Sequence, residues 1–391
     1  MRILYVTNEW IGKEGGGVSH FKEIAHNLSR RGHKLYIVAP GYYCVKPQEW
    51  FVPLILIPLP GRNIFSLMLF EFLLGFILTV LIITLRTRVV LNRGTFCSAG
   101  LYLVCRMLHC RYIVEINGIG DIEVKHTVMF SIFSKIYRLI NNLNYRMADY
   151  FICVSQGIKE ELVRRWPGFL QRSVAINNGV NEEKFVPLDP VECRKKLNLP
   201  LHKFIVGFVG QLSSWHGVDD LIEAARQLKN RGYEEFLTVI IGGDKERLEE
   251  LKSNVKQYGI GDNVWFIGKI SHTQVPLYIG AFDIAAQIHN DPIIGKFGDP
   301  LKFWEYLACG RAMLLSDFSS SKIFVKPGLI GWLFKGSDVG DMTDKLEYII
   351  NHRSECFEIG RANRHFIENG HRWKDVAEKV EKVLLGEAFS I

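Results

Sequence analysis

The 391-residue sequence lacks several patterns that mark special classes of protein. Its eight cysteines are scattered, with no CxxC pair and no Cys/His spacing suited to zinc. It has no low-complexity stretch, no run of lysine and arginine, and no basic segment interleaved with aromatic residues. The first residues are typical of a strand and not of a signal peptide. These absences argue against a zinc module, a disordered chain or a nucleic-acid-binding protein, and they predict a protein of the reducing cytoplasm.

Positive charge is concentrated in the first half of the chain. Residues 1–183 hold 21 Lys and Arg against 13 Asp and Glu, whereas the remainder holds 27 against 28. A basic half next to a neutral half is expected to face an anionic partner. Because no nucleic-acid signature is present, an anionic membrane surface is the favoured partner.

Short apolar runs alternate with helix-length segments along the whole chain. This alternation predicts an α/β fold with two doubly wound, Rossmann-like parallel sheets and crossover helices on both faces. The runs that predict buried strands are Ile3–Thr7, Lys34–Ala39, Leu54–Pro58, Arg88–Leu91, Tyr112–Ile116 and Tyr150–Val154, followed by Phe204–Val209, Leu237–Ile241, Val264–Ile267, Asp283–Ala286 and Ala312–Leu315.

A turn at Asn177–Val180 and the polar, proline-containing segment 182–203 predict a linker between two domains. We expect a first domain over 1–183, a second over 184–370, and a C-terminal helix over 371–391 that packs back on the first domain. Ligands of such domains bind at the carboxyl ends of the strands, so two facing domains are expected to form a central cleft.

Residues 64–85 form an unusually apolar segment, with 17 large apolar side chains and Glu71 as the only charge. The length would span a bilayer, but the segment lies between two predicted strands of one sheet. Three alternatives remain: a helix buried on most sides, a transmembrane helix, or a helix half-immersed in the membrane interface with Arg86, Arg88 and Arg93 near its end.

Four segments carry a more specific pattern. Glu14–His20 follows the first strand and opens a helix, so its glycines let the backbone approach an anion. The others are Phe208–Val218, Ile240–Asp244 and Phe297–Gly310. In this order and spacing they resemble the family-four branch of retaining, nucleotide-sugar-dependent glycosyltransferases of the GT-B fold, which includes many bacterial polysaccharide enzymes. The resemblance covers nearly the whole chain, and Phe297–Gly310 is its most specific part.

The resemblance implies that the second domain binds a nucleoside diphosphate sugar. Glu305 would accept hydrogen bonds from the ribose hydroxyls, unless it is merely an exposed helix residue. Backbone groups near Gly243 and Gly268 would contact the base. The complete set of expected donor-binding residues is Gly16, Gly17, Gln211, Gly243, Gly268, Gly298, Asp299, Pro300, Leu301 and Glu305.

The sequence departs from the family pattern in two places that bear on the donor. Phe297 stands where the first carboxylate of an E-x7-E pair is usual, and the segment from Gln211 to His216 lacks the Arg and Lys that contact the diphosphate. A departing diphosphate needs charge compensation, so Lys302 or His216, or the N–H groups of the glycine-rich loop, must provide it. We favour Lys302, with a solvated helix lysine as the alternative.

A third departure concerns the acceptor side. Asn117 stands where many relatives carry a histidine near the donor sugar, and an asparagine there would orient the sugar but transfer no proton. Asp121 and Glu123 are the nearest carboxylates and are expected either to bind acceptor hydroxyls or to lie in a solvated loop. His20 is expected either to face the cleft and bind the acceptor or to be satisfied within the fold.

The resemblance therefore implies a retaining transferase that moves a sugar, on UDP more readily than GDP, to a saccharide or lipid-linked acceptor. No cofactor and no metal are expected, because no DxD-type cluster lies beside the donor loop. The expected location is the cytoplasmic face of a membrane, as a peripheral protein. Two alternatives are a degenerate relative that only binds glycan or nucleotide, and a sugar-nucleotide epimerase of the same architecture.

Overall fold

The computed structural model describes residues 1–12, 15–42, 50–61, 63–94, 99–118 and 145–387. The chain divides into two compact units, one formed by Met1–Gly179 together with Trp373–Ile391, the other by Val180–Arg372. Each unit contains one parallel β-sheet with a doubly wound strand order. The predicted α/β class with two parallel-sheet domains is therefore confirmed.

Unit 1 is built on a seven-stranded sheet of order β3-β2-β1-β4-β5-β6-β7. Its central strands are short and buried, as both faces of a parallel sheet require. The strands are β1 (Arg2–Thr7), β2 (Lys34–Tyr42), β3 (Leu54–Leu59), β4 (Val89–Arg93), β5 (Arg111–Ile116), β6 (Tyr150–Cys153) and β7 (Ser173–Ala175).

Among the described residues, four α-helices precede the second unit. Two begin at polar caps: the Asn63 side chain accepts a hydrogen bond from the Ser66 N–H at 2.9 Å, and Ser155 accepts one from Ile158 at 3.3 Å. The helices are α1 (Gly16–Arg30), α2 (Ile64–Thr84), α3 (Ala99–Met107) and α4 (Gln156–Arg165), followed by a 3-10 helix at Pro167–Arg172.

Unit 2 is built on a six-stranded sheet of order β10-β9-β8-β11-β12-β13. The strand order reverses between β8 and β11, which is the position where this class of sheet binds ligands. The strands are β8 (Phe204–Val209), β9 (Phe236–Ile241), β10 (Val264–Gly268), β11 (Ile284–Gln287), β12 (Ala312–Ser316) and β13 (Gly331–Phe334).

The helices of unit 2 cover its sheet and include short 3-10 helices at Ser214–His216 and Ser320–Phe324. The α-helices are α5 (Pro190–Leu197), α6 (Val218–Asn230), α7 (Lys245–Gln257), α8 (Val275–Ala281), α9 (Pro292–Phe297), α10 (Leu301–Ala308), α11 (Val339–Asn351) and α12 (Arg353–Glu368).

The polar segment 182–203 is not an extended linker. It contains α5, whose first turn is capped by the Asp189 carboxylate on the Glu192 N–H at 2.9 Å. Arg194 is 6% exposed and donates to the Asp283 carboxylate at 2.7 Å. A polar composition is also typical of a short capped helix whose arginine is paired. The two units divide just before this segment, between Gly179 and Val180.

The last helix, α13 (Trp373–Leu385), belongs to unit 1, although the whole of unit 2 precedes it. It packs on α1, and Glu381 lies 2.5 Å from both Arg31 and His33. Arg111 at the start of β5 donates to the Leu384 carbonyl oxygen at 3.0 Å. These contacts fix the helix against the N-terminal sheet.

Helix α2 has two apolar faces that differ in exposure. One is buried in unit 1 and comprises Phe70, Leu74, Leu78 and Ile82, at intervals of four residues. The other is exposed and comprises Phe65, Met68, Leu69, Phe72, Phe76, Val80 and Ile83. The alternative of a helix buried on most sides is therefore wrong. Among the described residues, none of the helices combines the length and apolar character needed to cross a bilayer.

Candidate functional site

Glycines lie at the carboxyl ends of β8, β9 and β10 in unit 2. The Gly210 N–H donates to the Ile241 carbonyl oxygen at 3.0 Å, and the Gly242 N–H donates to that of Gly268 at 2.8 Å. A Cβ at Gly242 would collide with the Gly210 carbonyl oxygen, and its φ of 115° also favours glycine. Gly243 and Gly268, the expected base-contacting positions, thus lie at one sheet edge with exposed Gln211 beside them.

Lys302 lies in the first turn of α10 and is only 8% exposed. Its Nζ has no hydrogen-bond partner within the described part of the chain and lies 4.1 Å from the centre of the Phe208 ring. A Cβ at Gly210 would lie 3.4 Å from it. Burial lowers the pKa of Lys302 to about 7, although Glu305 acts in the opposite direction. A buried ammonium without a partner thus points at the glycine-lined sheet edge.

His216 lies on the 3-10 helix after β8 and is half-buried. Its Nδ1 is buried without a hydrogen-bond partner among the described residues. Burial, followed by the charges of Lys302 and His289, lowers the pKa of His216 to about 2. In the ligand-free protein His216 is therefore neutral at pH 7, and Lys302 is the group of this pair that can carry charge.

Glu305 is held by two further polar side chains of unit 2. His272 Nε2 lies 3.2 Å from Glu305 Oε1, and Lys184 Nζ contacts Nδ1 of the same ring. Because an ammonium can only donate, Nδ1 accepts and the ring hydrogen lies on Nε2, where it donates to Glu305. The carboxylate is 12% exposed and retains a second oxygen for other donors. Glu305 is therefore an oriented acceptor and not an exposed helix residue.

The predicted sugar-holding loop is fixed from within. Asp299 is buried, and its carboxylate accepts a hydrogen bond from Trp304 Nε1 at 3.1 Å. The Gly298 carbonyl oxygen accepts one from the Ser320 hydroxyl. Pro300 and Leu301 are half-exposed, and Leu301 opens α10. Asp299 therefore shapes this loop through its buried side chain.

A charged network lies at the carboxyl ends of β1, β4 and β5 in unit 1. Glu115 contacts Arg93, accepts a hydrogen bond from the Tyr5 hydroxyl at 2.6 Å, and lies 2.6 Å from His20 Nε2. Burial raises the pKa of Glu115, but the charges of His20 and Arg93 outweigh burial and hold it well below its usual range. Arg93 also donates to Asn117 Oδ1 at 2.6 Å, which fixes the predicted orienting amide.

Arg93 is 5% exposed, so the expectation that it lies with Arg86 and Arg88 at a membrane surface was wrong. The physical reason is that β4 carries the side chain into the network, where Glu115 compensates its charge. The guanidinium therefore acts inside unit 1 and not at its surface.

His20 is buried in unit 1, with both ring nitrogens against protein atoms. Nδ1 contacts Asn178 Oδ1, Nε2 faces Glu115, and the ring packs edge-on against Trp373 at 5.3 Å. These contacts favour the alternative in which His20 is satisfied within the fold over the one in which it binds the acceptor. His20 thus connects α1 with Glu115 on β5, with Asn178 and with Trp373 on α13.

The glycine-rich loop of unit 1 lies close to a carboxylate. A Cβ at Gly17 would collide with the Glu9 side chain, whereas Gly16 opens α1. Glu9 itself is oriented by the bond from its N–H to the Thr7 hydroxyl at 3.1 Å. A carboxylate at a helix N-terminus is favoured by the helix dipole. An anionic ligand on Gly16 and Gly17 would therefore have to displace Glu9.

Asp121 and Glu123, the expected acceptor-binding carboxylates, lie outside the described residues. Within the described residues, no group of three or more His, Cys, Asp and Glu side chains is placed to hold a metal ion.

Two family models match the chain in tandem. The model for glycosyl transferases group 1 matches residues 191–373, and the model for glycosyltransferase family 4 matches residues 14–184. The chain belongs to the group 1 glycosyltransferases. Its C-terminal match spans the glycine-lined sheet edge, Lys302 and Glu305.

Curated relatives of this glycosyltransferase are about a quarter identical to it over the aligned part of the chain. An uncharacterized glycosyltransferase of Methanocaldococcus jannaschii is 24% identical over 63% of this chain and 60% of its own length. A D-inositol 3-phosphate glycosyltransferase of Corynebacterium diphtheriae is 25% identical over 60% and 56%. The chain thus spans less than two thirds of the length of these relatives.

Solved structures show that this glycosyltransferase has the GT-B fold. Sucrose-phosphate synthase from Thermosynechococcus elongatus superposes with a TM-score of 0.80 at 17% identity, over 98% of both chains. HepE of Anabaena, solved in complex with UDP-glucose, superposes with a TM-score of 0.76 at 16% identity, over 99% of this chain and all of its own. At these identities the likeness concerns the fold.

The sequence of this glycosyltransferase did not single out two residues that the structure brings into unit 2's site. His272 lies beside Glu305, and buried His289 follows β11 near Lys302. Both lie outside the four segments that carry the family pattern. A histidine directly after a buried strand was the available signal for His289. Phe297, at the missing carboxylate position, is 5% exposed and packs as an apolar residue.

We expect Glu115→Gln to lower the free energy of unfolding by about 3–5 kcal/mol, because it leaves the Arg93 guanidinium buried without its counter-charge. The folded pKa of Glu115 is depressed, so its stabilisation is present above the pKa of the unfolded chain and is lost as pH falls through the folded pKa. Denaturant unfolding of the full chain measures this change. The exposed Glu160→Gln is the control, and equal stabilities would contradict the network's importance.

Proposed function

We propose that this chain transfers a sugar from a nucleoside diphosphate sugar to a saccharide or lipid-linked acceptor, with retention at the anomeric carbon. The observation that carries the proposal is the buried Lys302 ammonium, which has no partner among the described residues and faces the glycine-lined sheet edge. A buried cation of this kind is costly unless an anion completes it. The diphosphate of the donor is the anion that the family's chemistry offers.

The reaction places charge where Lys302 lies. As the bond between the anomeric carbon and the phosphate oxygen breaks, negative charge grows on the departing diphosphate, and the ammonium stabilises it. The acceptor hydroxyl forms the new bond to carbon from the same face, and its proton passes to the departing phosphate oxygen. Glu305 orients the ribose through its free carboxylate oxygen, while His272 holds the other.

UDP is the proposed nucleotide, since HepE is solved with UDP and with UDP-glucose on the same fold. The base would meet the backbone at Gly243 and Gly268, where side chains are absent. No metal is part of the proposal, so a chelator should leave the rate unchanged.

A lipid-linked acceptor is supported by the exposed apolar face of α2. This face continues onto neighbouring α3 at Leu103 and Met107, which are 55% and 79% exposed. Exposed Arg2, Arg86 and Arg88 lie near the end of α2, and exposed Arg106 lies on α3 next to Met107. An apolar patch edged by cations fits the interface of an anionic bilayer. We therefore propose a peripheral protein on the cytoplasmic face of a membrane.

The proposal is tested by incubating the protein with a panel of UDP- and GDP-sugars and measuring released nucleoside diphosphate, with and without anionic vesicles that carry lipid-linked saccharides. Release that depends on an acceptor supports transfer. Binding of nucleotide without release or transfer would indicate a degenerate relative that only binds glycan or nucleotide. This alternative is favoured by Gln211, which stands where a permanent cation is usual. Interconversion of two donor sugars with no nucleotide released would indicate the epimerase.

Glu305→Gln is expected to weaken donor binding by roughly 10- to 150-fold and to leave the fold intact. The change keeps the side-chain volume and removes the charge that strengthens the ribose hydrogen bonds, a loss of about 1.5–3 kcal/mol. Titration calorimetry with UDP measures the effect, with the exposed Glu234→Gln as control. An unchanged affinity would contradict the ribose role of Glu305.

A further inference from the structure

The His289 ring is buried, and among the described residues neither of its nitrogens takes part in a hydrogen bond. It follows β11, is 3% exposed, and neither Nδ1 nor Nε2 has a hydrogen-bond partner in the described portion of the chain. Its backbone N–H donates to the Ser316 hydroxyl at 3.1 Å, which fixes the residue at the sheet edge. Leaving a buried polar group unbonded costs about 1–3 kcal/mol, so this imidazole requires an explanation beyond packing.

His289 and His216 lie together at the position where the strand order reverses. Their ring centres are 6.0 Å apart, and the Asn290 N–H donates to the Trp215 carbonyl oxygen at 3.3 Å, which joins the two segments. The His216 ring also lies 6.3 Å from the Phe208 ring, over which the Lys302 ammonium is placed. His289, His216 and Lys302 therefore lie at the same end of the unit 2 sheet, and each has at least one nitrogen without a hydrogen-bond partner among the described residues.

Burial, and then the neighbouring charges, keep these rings neutral in the ligand-free protein. Burial and then Lys302 lower the pKa of His289 to about 3, although Asp291 at the start of α9 acts in the opposite direction. His216 is lowered by burial and by Lys302 and His289. Glu305 faces Lys302 from the next turn of α10. Positive charge on these rings is thus suppressed until an anion arrives.

We propose that His289 and His216 take up protons when the donor diphosphate binds beside Lys302, so that titratable groups replace the permanent cations missing after β8. This inference rests on the proposed function and adds that pH regulates donor binding at the same site. A bound dianion favours the imidazolium form and raises the pKa of both rings. Donor affinity therefore increases as pH falls through the raised pKa of the bound state, and it levels off below the pKa of the free protein.

The experiment is calorimetric titration of the full chain with UDP-glucose at about pH 6, in two buffers that differ in ionisation enthalpy. A nucleoside diphosphate sugar takes up no proton itself in this range, and Lys302 is already mostly protonated there. We expect uptake of about one proton per ligand and an affinity that rises up to about tenfold for each unit fall in pH per proton. GDP-glucose is used if UDP-glucose does not bind.

Variants assign the protons to the two rings. His289→Gln should lose much of the proton uptake and flatten the pH dependence of donor affinity. If that variant fails to fold, His216→Gln, at a half-exposed position, tests the proton uptake in the same way. His202→Gln, an exposed histidine of unit 2 paired with Glu235 at 3.4 Å, should retain the full uptake. Uptake that persists when both His216 and His289 are replaced would overturn the inference.

The outcomes also separate this inference from the proposed function. Nucleotide-sugar binding with no proton uptake at about pH 6 would overturn the inference alone and leave the transferase proposal intact. Failure of the parent protein to bind any nucleotide sugar at about pH 6 would overturn both.

Discussion

Replacing Lys302 with methionine is expected to lower turnover by at least about 100-fold while making the ligand-free protein more stable. Methionine fills the same space over Phe208 and removes an ammonium that has no partner among the described residues. Charge on the departing diphosphate grows toward the transition state, so kcat should fall more than donor affinity.

The stability gain has a defined pH dependence. Because the folded pKa of Lys302 is lowered to about 7, the unfolded chain binds the proton more tightly, and the native protein is penalised by a few kcal/mol below that pH. The penalty decreases as pH rises from about 7 toward the ordinary lysine pKa. Denaturant unfolding of parent and Lys302→Met proteins should therefore differ at about pH 6 and converge at high pH.

Lys256→Ala, an exposed lysine at the end of α7, is the matched control for loss of charge. A Lys302→Met protein with kcat within about twofold of the parent would show that Lys302 is not the charge partner of the diphosphate. Loss of stability in that variant would show that the ammonium has a partner in the ligand-free protein.

Replacing Phe72 and Phe76 with aspartate is expected to release the protein from anionic vesicles. Both side chains lie on the exposed face of α2, at 68% and 66% exposure, with ring centres 5.5 Å apart. Burying one such side chain in the membrane contributes about 1.5–3 kcal/mol to the free energy of binding. Losing both should therefore weaken the partition of the protein onto vesicles by about 100-fold or more. Sedimentation with vesicles of anionic lipid measures the change.

The parent protein should bind less tightly in moderate salt but stay bound, since the arginines near α2 add about 1 kcal/mol each and the apolar term does not depend on salt. The matched control places aspartates at Val191 and Leu201, two exposed apolar positions of unit 2. Transfer to a soluble acceptor should be equal in all three proteins. A parent protein that stays in the supernatant at low salt would contradict membrane docking.

The sequence predicted the parallel sheets because their strands are short, continuous apolar runs, a signal that buried parallel strands carry by themselves. It missed β7 and β13, which have three and four residues and lie at the sheet ends. Most of their residues are only half-buried, whereas the equally short β6 and β11 are almost fully buried and form recognisable apolar runs. Their pairing partners, β6 and β12, define them.

The sequence predicted the site residues whose type alone indicates their chemistry. It missed the residues whose role depends on contacts with side chains far away in the sequence. Lys302 and Glu305 stood out because the family pattern carries them. His272 acts on Glu305 from a position 33 residues earlier, and Arg93 on β4 contacts Glu115 on the neighbouring strand β5. Neither contact leaves a local trace in the sequence. His20 illustrates the converse, since its residue type suits a ligand contact but its neighbours occupy both nitrogens.

The return of α13 to unit 1 has a consequence for how the protein is made. On the ribosome, every residue of unit 2 emerges before Trp373–Leu385 exists, so unit 2 has its complete set of strands and helices first. Until Glu381 and Leu384 are synthesised, Arg31, His33 and Arg111 lack their partners and the α1 surface is uncovered. The N-terminal half is therefore the last part to mature during translation, and a fragment cut after Gly179 would remain in that unfinished, chaperone-dependent state.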